Sequence, residues 1–140
     1  MRRYALSLLV PALALAACNG DDGPEPPPSK PPAGKGVSLT LDRDTARPGE
    51  TLQLTVHNRT KTRLEYGVAY RLERFVDGDW RWVNRDSAFV LILKFVEPGG
   101  REREEIGLGD LEPGRYRIVK SFTAPDKGRR LDASVEFRVR

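Results

Sequence analysis

The 140-residue chain is poor in the residues on which most enzymes and metal proteins depend, with one cysteine, one histidine and one methionine. A single cysteine excludes an intrachain disulfide, and one cysteine with one histidine excludes a zinc site built from these two residue types alone. A catalytic triad or a cysteine–histidine pair would have to use His57, because there is no other histidine. The sequence therefore predicts neither a metal or other cofactor nor an enzyme.

The net positive charge is also lower than a nucleic-acid-binding protein usually has. The formal net charge is +4, with 31% charged and 39% hydrophobic residues. These values are typical of a globular domain and fall short of the basic footprint of a nucleic-acid binder.

The N-terminal segment is typical of an export signal. Arg2 and Arg3 precede an apolar stretch that is too short to span a bilayer. The stretch ends in Leu15, Ala16, Ala17 and Cys18, which resembles a bacterial lipobox. We therefore expect residues 1–17 to be a lipoprotein signal peptide.

Lipidation would also explain the single thiol. We expect Cys18 to carry the lipid and to anchor the protein extracytoplasmically at the bacterial membrane, on the cell surface or the periplasmic side. A plain secretory signal with a chance cysteine is the alternative. Stable anchoring takes more than one acyl chain, as a diacylated cysteine supplies.

Residues 18–36 predict a tether. After Cys18 the sequence reads NGDDGPEPPPSKPPAGKG, in which proline and glycine dominate and large apolar residues are absent. Such composition predicts a disordered, partly extended linker that could hold a domain up to roughly 55 Å from the membrane, at about 3.1 Å per residue.

Residues 37–140 have the two-residue periodicity of β-strands. Polar and apolar residues alternate from Val37 and again from Leu52, one long strand is predicted over 64–72, and Asp77-Gly78 predicts a two-residue hairpin. With no convincing helix, the pattern predicts an all-β fold: an antiparallel immunoglobulin-like β-sandwich of seven or eight strands.

One motif near the C-terminus predicts a structural latch. Leu111, Pro113, Gly114 and Tyr116 have the spacing of a tyrosine corner, in which the tyrosine hydroxyl bonds back to the backbone before its strand. We expect Tyr116 to stabilise the fold rather than to act in a binding site.

Several of these segments together resemble a bacterial immunoglobulin-like domain family. The resemblance rests on Tyr66-Gly67, Tyr70-Arg71-Leu72-Glu73, Asp77-Gly78-Asp79-Trp80, Pro98-Gly99 and above all the PGRYRIVK block from Pro113. It implies a sandwich fold in an extracytoplasmic setting and no catalytic motif. A second, shorter set of segments is similar to a family of bacterial proteinase inhibitors. They are Trp80-Arg81-Trp82, Ala88-Phe89, Pro98-Gly99 and Pro113-Gly114-Arg115-Tyr116.

The segment 89–96 offers the clearest candidate for a partner-binding surface. Phe89, Leu91, Leu93 and Phe95 share one face of the predicted strand and should point to the core. The other face would carry Val90, Ile92, Lys94 and Val96, although an outer sheet face is usually polar. A partner, a second copy of the chain, an added strand or a loop of the same domain would cover it. With Trp82, we take Val90, Ile92 and Val96 as the candidate surface.

Other residues have simpler interpretations. His57 should face solvent, Asp77-Gly78-Asp79 should be a turn rather than a calcium site, and 101–105 should be a solvated charged strand or loop. For Trp80 and Trp82, which share a face, we expect at least one in the core. An outward pair would form a platform for sugars or a partner.

The resulting hypothesis is a non-enzymatic, lipid-anchored domain that binds a protein or cell-envelope component, with no nucleic acid as partner. The alternatives are an inhibitor of an extracytoplasmic protease, presenting 77–79 or 84–88, and a small hydrolase using His57.

Overall fold

The computed structural model describes residues 36–85 and 91–140. The predicted signal peptide, the lipobox residues Leu15, Ala16, Ala17 and Cys18, and the tether up to residue 35 lie outside the described residues. Residues 86–90, which include Val90 and most of the alternative inhibitory segment 84–88, also lie outside them. Among the described residues, no helix is long and apolar enough to cross a membrane.

The described chain is built of ten strands and one short 3-10 turn, Pro125–Lys127. The predicted all-β sandwich is confirmed, with more strands than the seven or eight expected. The strands are β1 Val37–Leu41, β2 Thr45–Ala46, β3 Thr51–Asn58, β4 Leu64–Gly67, β5 Arg71–Val76, β6 Asp79–Trp82, β7 Leu93–Val96, β8 Arg101–Gly107, β9 Gly114–Ala124 and β10 Arg129–Val139.

Two sheets pack face to face. The smaller sheet has the order β1-β3-β8 and is antiparallel. The larger sheet has the order β2-β10-β9-β4-β7, and the β5–β6 hairpin pairs with the first half of the long strand β9. Only the short β2–β10 pairing is parallel among the described pairs.

The core between the sheets follows the predicted alternation. Leu52, Leu54 and Val56 of β3 are fully buried and face Ile118, Phe122 and Phe137 across the sandwich. Burying an aliphatic side chain stabilises the fold by about 1.5–3 kcal/mol, so these alternating positions drive the two sheets together.

The predicted long strand over 64–72 is wrong in one respect: it bends. β4 ends at Gly67, β5 begins at Arg71, and Val68 between them bonds partly outside the sheet. The amide of Val68 donates to Ile92 O at 3.3 Å, and the ammonium of Lys120 donates to Val68 O at 3.2 Å. At Val68 O, the buried ammonium of Lys120 thus takes the place of a backbone donor from a neighbouring strand.

Turn residues are placed where the sequence predicted. Asp77 and Gly78 have φ values of 51° and 85°, and join β5 to β6. Two positive φ angles in a two-residue loop are the signature of a type I′ hairpin, for which Asp-Gly is favoured.

The tyrosine-corner residues form a compact latch. The hydroxyl of Tyr116 donates to Glu112 O at 2.7 Å, and its ring stacks on Phe137 with centroids 5.6 Å apart. Leu111 is buried, Pro113 is exposed, and Gly114 begins β9. Arg74 secures the loop from outside, donating to Glu112 Oε2 at 2.6 Å and to Pro113 O at 2.9 Å.

Candidate surface on the larger sheet

Exposed large apolar side chains are concentrated in one part of the described structure. They are Trp82, Leu91, Ile92, Leu93 and Phe95, on β6 and on the stretch 91–95 around the start of β7. Trp82 is 67% exposed and Ile92 is 50% exposed. Contiguous apolar exposure of this kind is characteristic of interaction sites.

Two adjoining depressions connect these side chains. One, of about 180 Å³, is lined by Leu91, Ile92 and Leu93 together with the bend residues Gly67 and Ala69. The other, of about 480 Å³, is lined by Gly67, Ala69, Tyr70 and Trp82, with Val119 and Ser121 of β9 as its floor. Because both share Gly67 and Ala69, they form one surface. We call Ala69, Trp82, Leu91, Ile92 and Leu93 the apolar patch.

The predicted orientation of residues 91–96 is wrong. Val96, expected on the outer face, is 1% exposed and belongs to the core, whereas Leu93 and Phe95 point outward. Register explains the reversal, since Val96 pairs with buried Leu64 and Lys94 pairs with buried Tyr66. Ile92 and Trp82 remain as exposed members of the predicted surface.

Lys94 faces inward because it has a buried carboxylate to meet. Its ammonium lies 3.2 Å from Glu104 Oε1, while Lys120 Nζ lies 2.7 Å from Glu104 Oε2. The side chain of Lys120 is completely buried, and its ammonium is 5.1 Å from the ring centroid of Tyr66. This ionic cluster of Lys94, Glu104 and Lys120 lies directly beneath the bend that shapes the apolar patch.

Burial shifts the titration of Lys120 and of the adjacent Tyr66. Desolvation lowers the pKa of Lys120, and the hydrogen bond and charge of Glu104 oppose that shift. Burial, followed by the charge of Glu104, raises the pKa of Tyr66. The burial of the Glu104 side chain contradicts the expectation that 101–105 is simply a solvated strand or loop.

The sequence signal for the cluster is the alternation of buried positions along two strands. Glu104 shares its strand face with buried Ile106, and Lys120 stands between Ile118 and Phe122 on the inward face of β9. Strict alternation would therefore have placed both charges inside.

The tryptophans lie on the outer side of the larger sheet, so the expectation that at least one is in the core is wrong. Trp80 packs edge-on against Phe75, with centroids 5.2 Å apart, and Arg117 lies 4.4 Å above its indole. Trp82 pairs in register with Glu73 and is left largely uncovered. The two indoles therefore differ, because Trp80 packs between Phe75 and Arg117, whereas Trp82 is exposed and free to contact a partner.

Buried Glu73 anchors the arginines of this face. Its carboxylate accepts hydrogen bonds from Arg71, at 2.7 Å, and from Arg117. Desolvation alone would raise the pKa of Glu73, but the two arginines outweigh it and lower the pKa overall. The face beside the apolar patch is thereby fixed rather than adaptable.

The remaining sequence candidates lie apart from the patch. His57 is half-buried on the smaller sheet, where its Nε2 is 3.0 Å from Thr40 Oγ1. Burial, and then the charges of Arg101 and Arg59, lower its pKa. Asp77 lies 3.9 Å from Arg81 in the hairpin. Within 36–85 and 91–140, no three His, Cys, Asp or Glu side chains are grouped to hold a metal ion.

Similar solved structures are distant from this chain. Spo0M, a sporulation control protein from Bacillus subtilis, is 17% identical, with a TM-score of 0.42, over 74% of this chain and 47% of its own. The alkylpurine DNA glycosylase AlkC of Pseudomonas fluorescens is 21% identical, with a TM-score of 0.43, over 76% and 31%. PapD-like domain 7 of human CEP192 is 16% identical, with a TM-score of 0.38, over 99% and 94%.

This chain therefore spans about half the length of Spo0M and about a third of that of AlkC. No curated protein matches the sequence. The family model for the bacterial Ig-like domain matches residues 33–138. With the sandwich described above, this match shows that the chain belongs to the bacterial Ig-like domain family.

Proposed function

We propose that this protein is a non-enzymatic, lipid-anchored binding domain of the bacterial cell envelope, and that it binds a protein partner through the apolar patch. The observation that carries the proposal is the confinement of exposed large apolar side chains, among the described residues, to β6 and the stretch 91–95. A monomeric domain rarely leaves such side chains together in water.

The chemistry of the patch favours a protein over a small molecule. Its depressions are shallow and adjoin an exposed indole, and the neighbouring strand β7 is the last strand on its side of the larger sheet. Aromatic and aliphatic anchors surrounded by arginines are typical of protein interfaces. Arg71 borders the patch and Arg63 lies 3.8 Å above the ring of Phe95.

Anchoring at Cys18 is the second part of the proposal and rests on the lipobox-like sequence. Metabolic labelling with a fatty-acid analogue tests it directly. We expect the wild-type protein to carry label and to fractionate with membranes, and Cys18→Ala to lose both. An unlabelled, freely released wild-type protein would remove the anchor from the proposal.

Photo-crosslinking in intact cells tests the patch. A photoreactive residue at position 92 should give one discrete protein adduct, and adding Trp82→Asp should abolish that adduct. The matched control is position 53, where Gln53 is equally solvent-facing on the smaller sheet. Equal adducts from positions 53 and 92, or an adduct at 92 that survives Trp82→Asp, would contradict binding through the patch.

Neither the structure nor the matched family favours the alternative in which the domain inhibits a protease.

A further inference from the structure

The two ends of the sandwich differ in charge. One end is formed by the loops 59–63, 97–101 and 125–130, which we call the basic end. It holds seven cations, Arg59, Lys61, Arg63, Arg101, Lys127, Arg129 and Arg130, against two carboxylates, Glu97 and Asp126. The loops of the opposite end, 42–50, 77–78 and 107–113, carry six carboxylates, Asp42, Asp44, Glu50, Asp77, Asp110 and Glu112, and two arginines, Arg43 and Arg47. Arg74, Arg85 and Arg140 also bond to residues of these loops, so this end has no excess of positive charge comparable to that of the basic end.

Most cations of the basic end are exposed and unpaired. Arg63 pairs with Glu97 at 3.5 Å, and Arg130 pairs with Asp132 at 3.4 Å. The other five make no ion pair with any described residue. The lowered pKa of His57, to which Arg101 and Arg59 contribute after burial, is a local sign of the positive field at this end.

Four of the unpaired cations surround one depression. It has a volume of about 540 Å³ and is bordered by Arg59, Lys61, Lys127 and Arg129, with Ala124 and Leu131 among its apolar lining residues. The basic rim is suited to a phosphate group, as a lipid headgroup presents.

The N-terminal segment joins the domain at this same end. The amide of Arg59 donates to Gly36 O at 2.9 Å, so Gly36 lies beside the basic loops. The predicted tether of eighteen residues from Asn19 to Gly36 could keep the domain close to the bilayer or allow it to turn freely. The charge distribution of the domain would therefore select its orientation.

We propose that the basic end docks on anionic phospholipid headgroups of the membrane that carries the anchor, and that the opposite end points away from that membrane. The proposal rests on the lipid anchoring proposed above for its setting. Basic residues are attracted to an anionic leaflet within about one Debye length, roughly 8 Å at physiological salt. The basic end can bring seven cations against two carboxylates that close at once.

Vesicle co-sedimentation of the unlipidated chain tests this docking independently of the anchor. The protein is residues 18–140 with Cys18→Ser, and the vesicles are phosphatidylcholine alone or with about one third phosphatidylglycerol. We expect binding only to the anionic vesicles, weakened by added salt. In Lys61→Glu/Lys127→Glu, partitioning should fall at least about tenfold, since each basic residue contributes about fivefold near such a surface.

The matched control is Arg47→Glu/Arg140→Glu, which changes the net charge equally at exposed positions of the opposite end. It should partition within about twofold to threefold of the unsubstituted chain, because these residues lie farther from the docked surface. Equal losses in both double variants would show that net charge alone acts, and would overturn the proposal. Equal binding to both vesicle compositions, or binding that salt leaves unchanged, would also overturn it.

The unsubstituted chain keeps the test decisive if a variant fails to fold, because lipid composition and salt are varied without any substitution. Failure of fatty-acid labelling at Cys18 would remove the anchor and leave vesicle binding unaffected. Failure of vesicle binding would remove the docking and leave the label unaffected.

Discussion

The outer surfaces of the two sheets differ sharply in what they expose. On the smaller sheet, the outward positions of β3 and β8 are polar, as at Gln53, Thr55, Arg103 and Glu105. On the larger sheet, the outward side carries tryptophans, arginines and the apolar patch. A polar outer face is what a solvated antiparallel sheet requires, whereas the larger sheet retains side chains that water does not favour.

The residues buried beneath the two outer surfaces also differ, being apolar under one and charged under the other. Behind the smaller sheet's outer face lie Leu52, Leu54 and Val56, an ordinary apolar core. Behind the bend of the larger sheet lie Lys94, Glu104 and Lys120. Retaining charges in a core generally costs stability relative to well-packed apolar residues. The bend beside the apolar patch is therefore supported by an ionic cluster, where the smaller sheet has apolar side chains.

The largest effect should come from that cluster. We expect Lys120→Ala to lower the free energy of unfolding by about 3–5 kcal/mol, because it removes one partner of a buried ion pair. The bend at Val68 would also lose the hydrogen bond that it accepts from Lys120. Urea denaturation measures the change, and Gln53→Ala on the polar outer face serves as the control, with an expected change below about 0.5 kcal/mol. Similar losses of unfolding free energy in both variants would contradict the expected difference between the ionic cluster and the polar outer face.

A smaller effect, with a pH signature, should come from Glu73. We expect Glu73→Gln to cost about 2 kcal/mol at neutral pH, since hydrogen bonds to charged groups contribute about 1.5–3 kcal/mol. The pKa of Glu73 is lower in the folded state than its ordinary value of 4.5. Its contribution is therefore complete above that value and is lost as the pH falls from about 4.5 through the lower folded pKa.

Urea titrations at pH 7 and at pH 3 measure this signature. The wild-type protein should lose more stability on acidification than Glu73→Gln does, so the gap between the two should narrow at pH 3. A gap of constant size would show that the carboxylate charge does not support the arginines on this face.

The tyrosine corner should contribute about 1 kcal/mol. Tyr116→Phe removes the hydroxyl that donates to Glu112 O and leaves the ring stacked on Phe137. In Glu112→Ala, the backbone acceptor remains and only the exposed pairing with Arg74 is lost, so we expect a change below about 0.5 kcal/mol. Thermal or urea unfolding separates the two, and a larger loss in Glu112→Ala would contradict the latch.

The smallest effect on stability should come from the patch itself. Trp82→Ala should change the free energy of unfolding by less than about 0.5 kcal/mol, because exposed residues away from packed features contribute little. Trp80→Ala is the matched comparison and should cost about 2 kcal/mol, since Trp80 packs on Phe75 and Arg117. Equal costs would mean that Trp82 serves the fold rather than a partner.

Alternation and turn chemistry predicted much of this fold from sequence. The predictions that succeeded depend on local patterns within one strand or loop. They are the burial of Leu52, Leu54 and Val56, the Asp77-Gly78 turn, and the hydrogen bond of Tyr116 to the chain before β9. The bend at Val68 and the inward position of Lys94 depend on Glu104 and Lys120, which come from two further strands. Hydrophobicity alone assigns lysine and glutamate to solvent, so it reversed the orientation of residues 91–96.

Thiol protection in living cells tests most directly whether the patch is the bound surface. Since Cys18 is the only cysteine of the chain, Ile92→Cys or Gln53→Cys introduces the only other thiol. A membrane-impermeant maleimide should modify position 92 much more slowly in cells than in purified protein, while position 53 reacts at similar rates in both. Equal protection at the two positions, or none at position 92, would contradict a partner on the apolar patch.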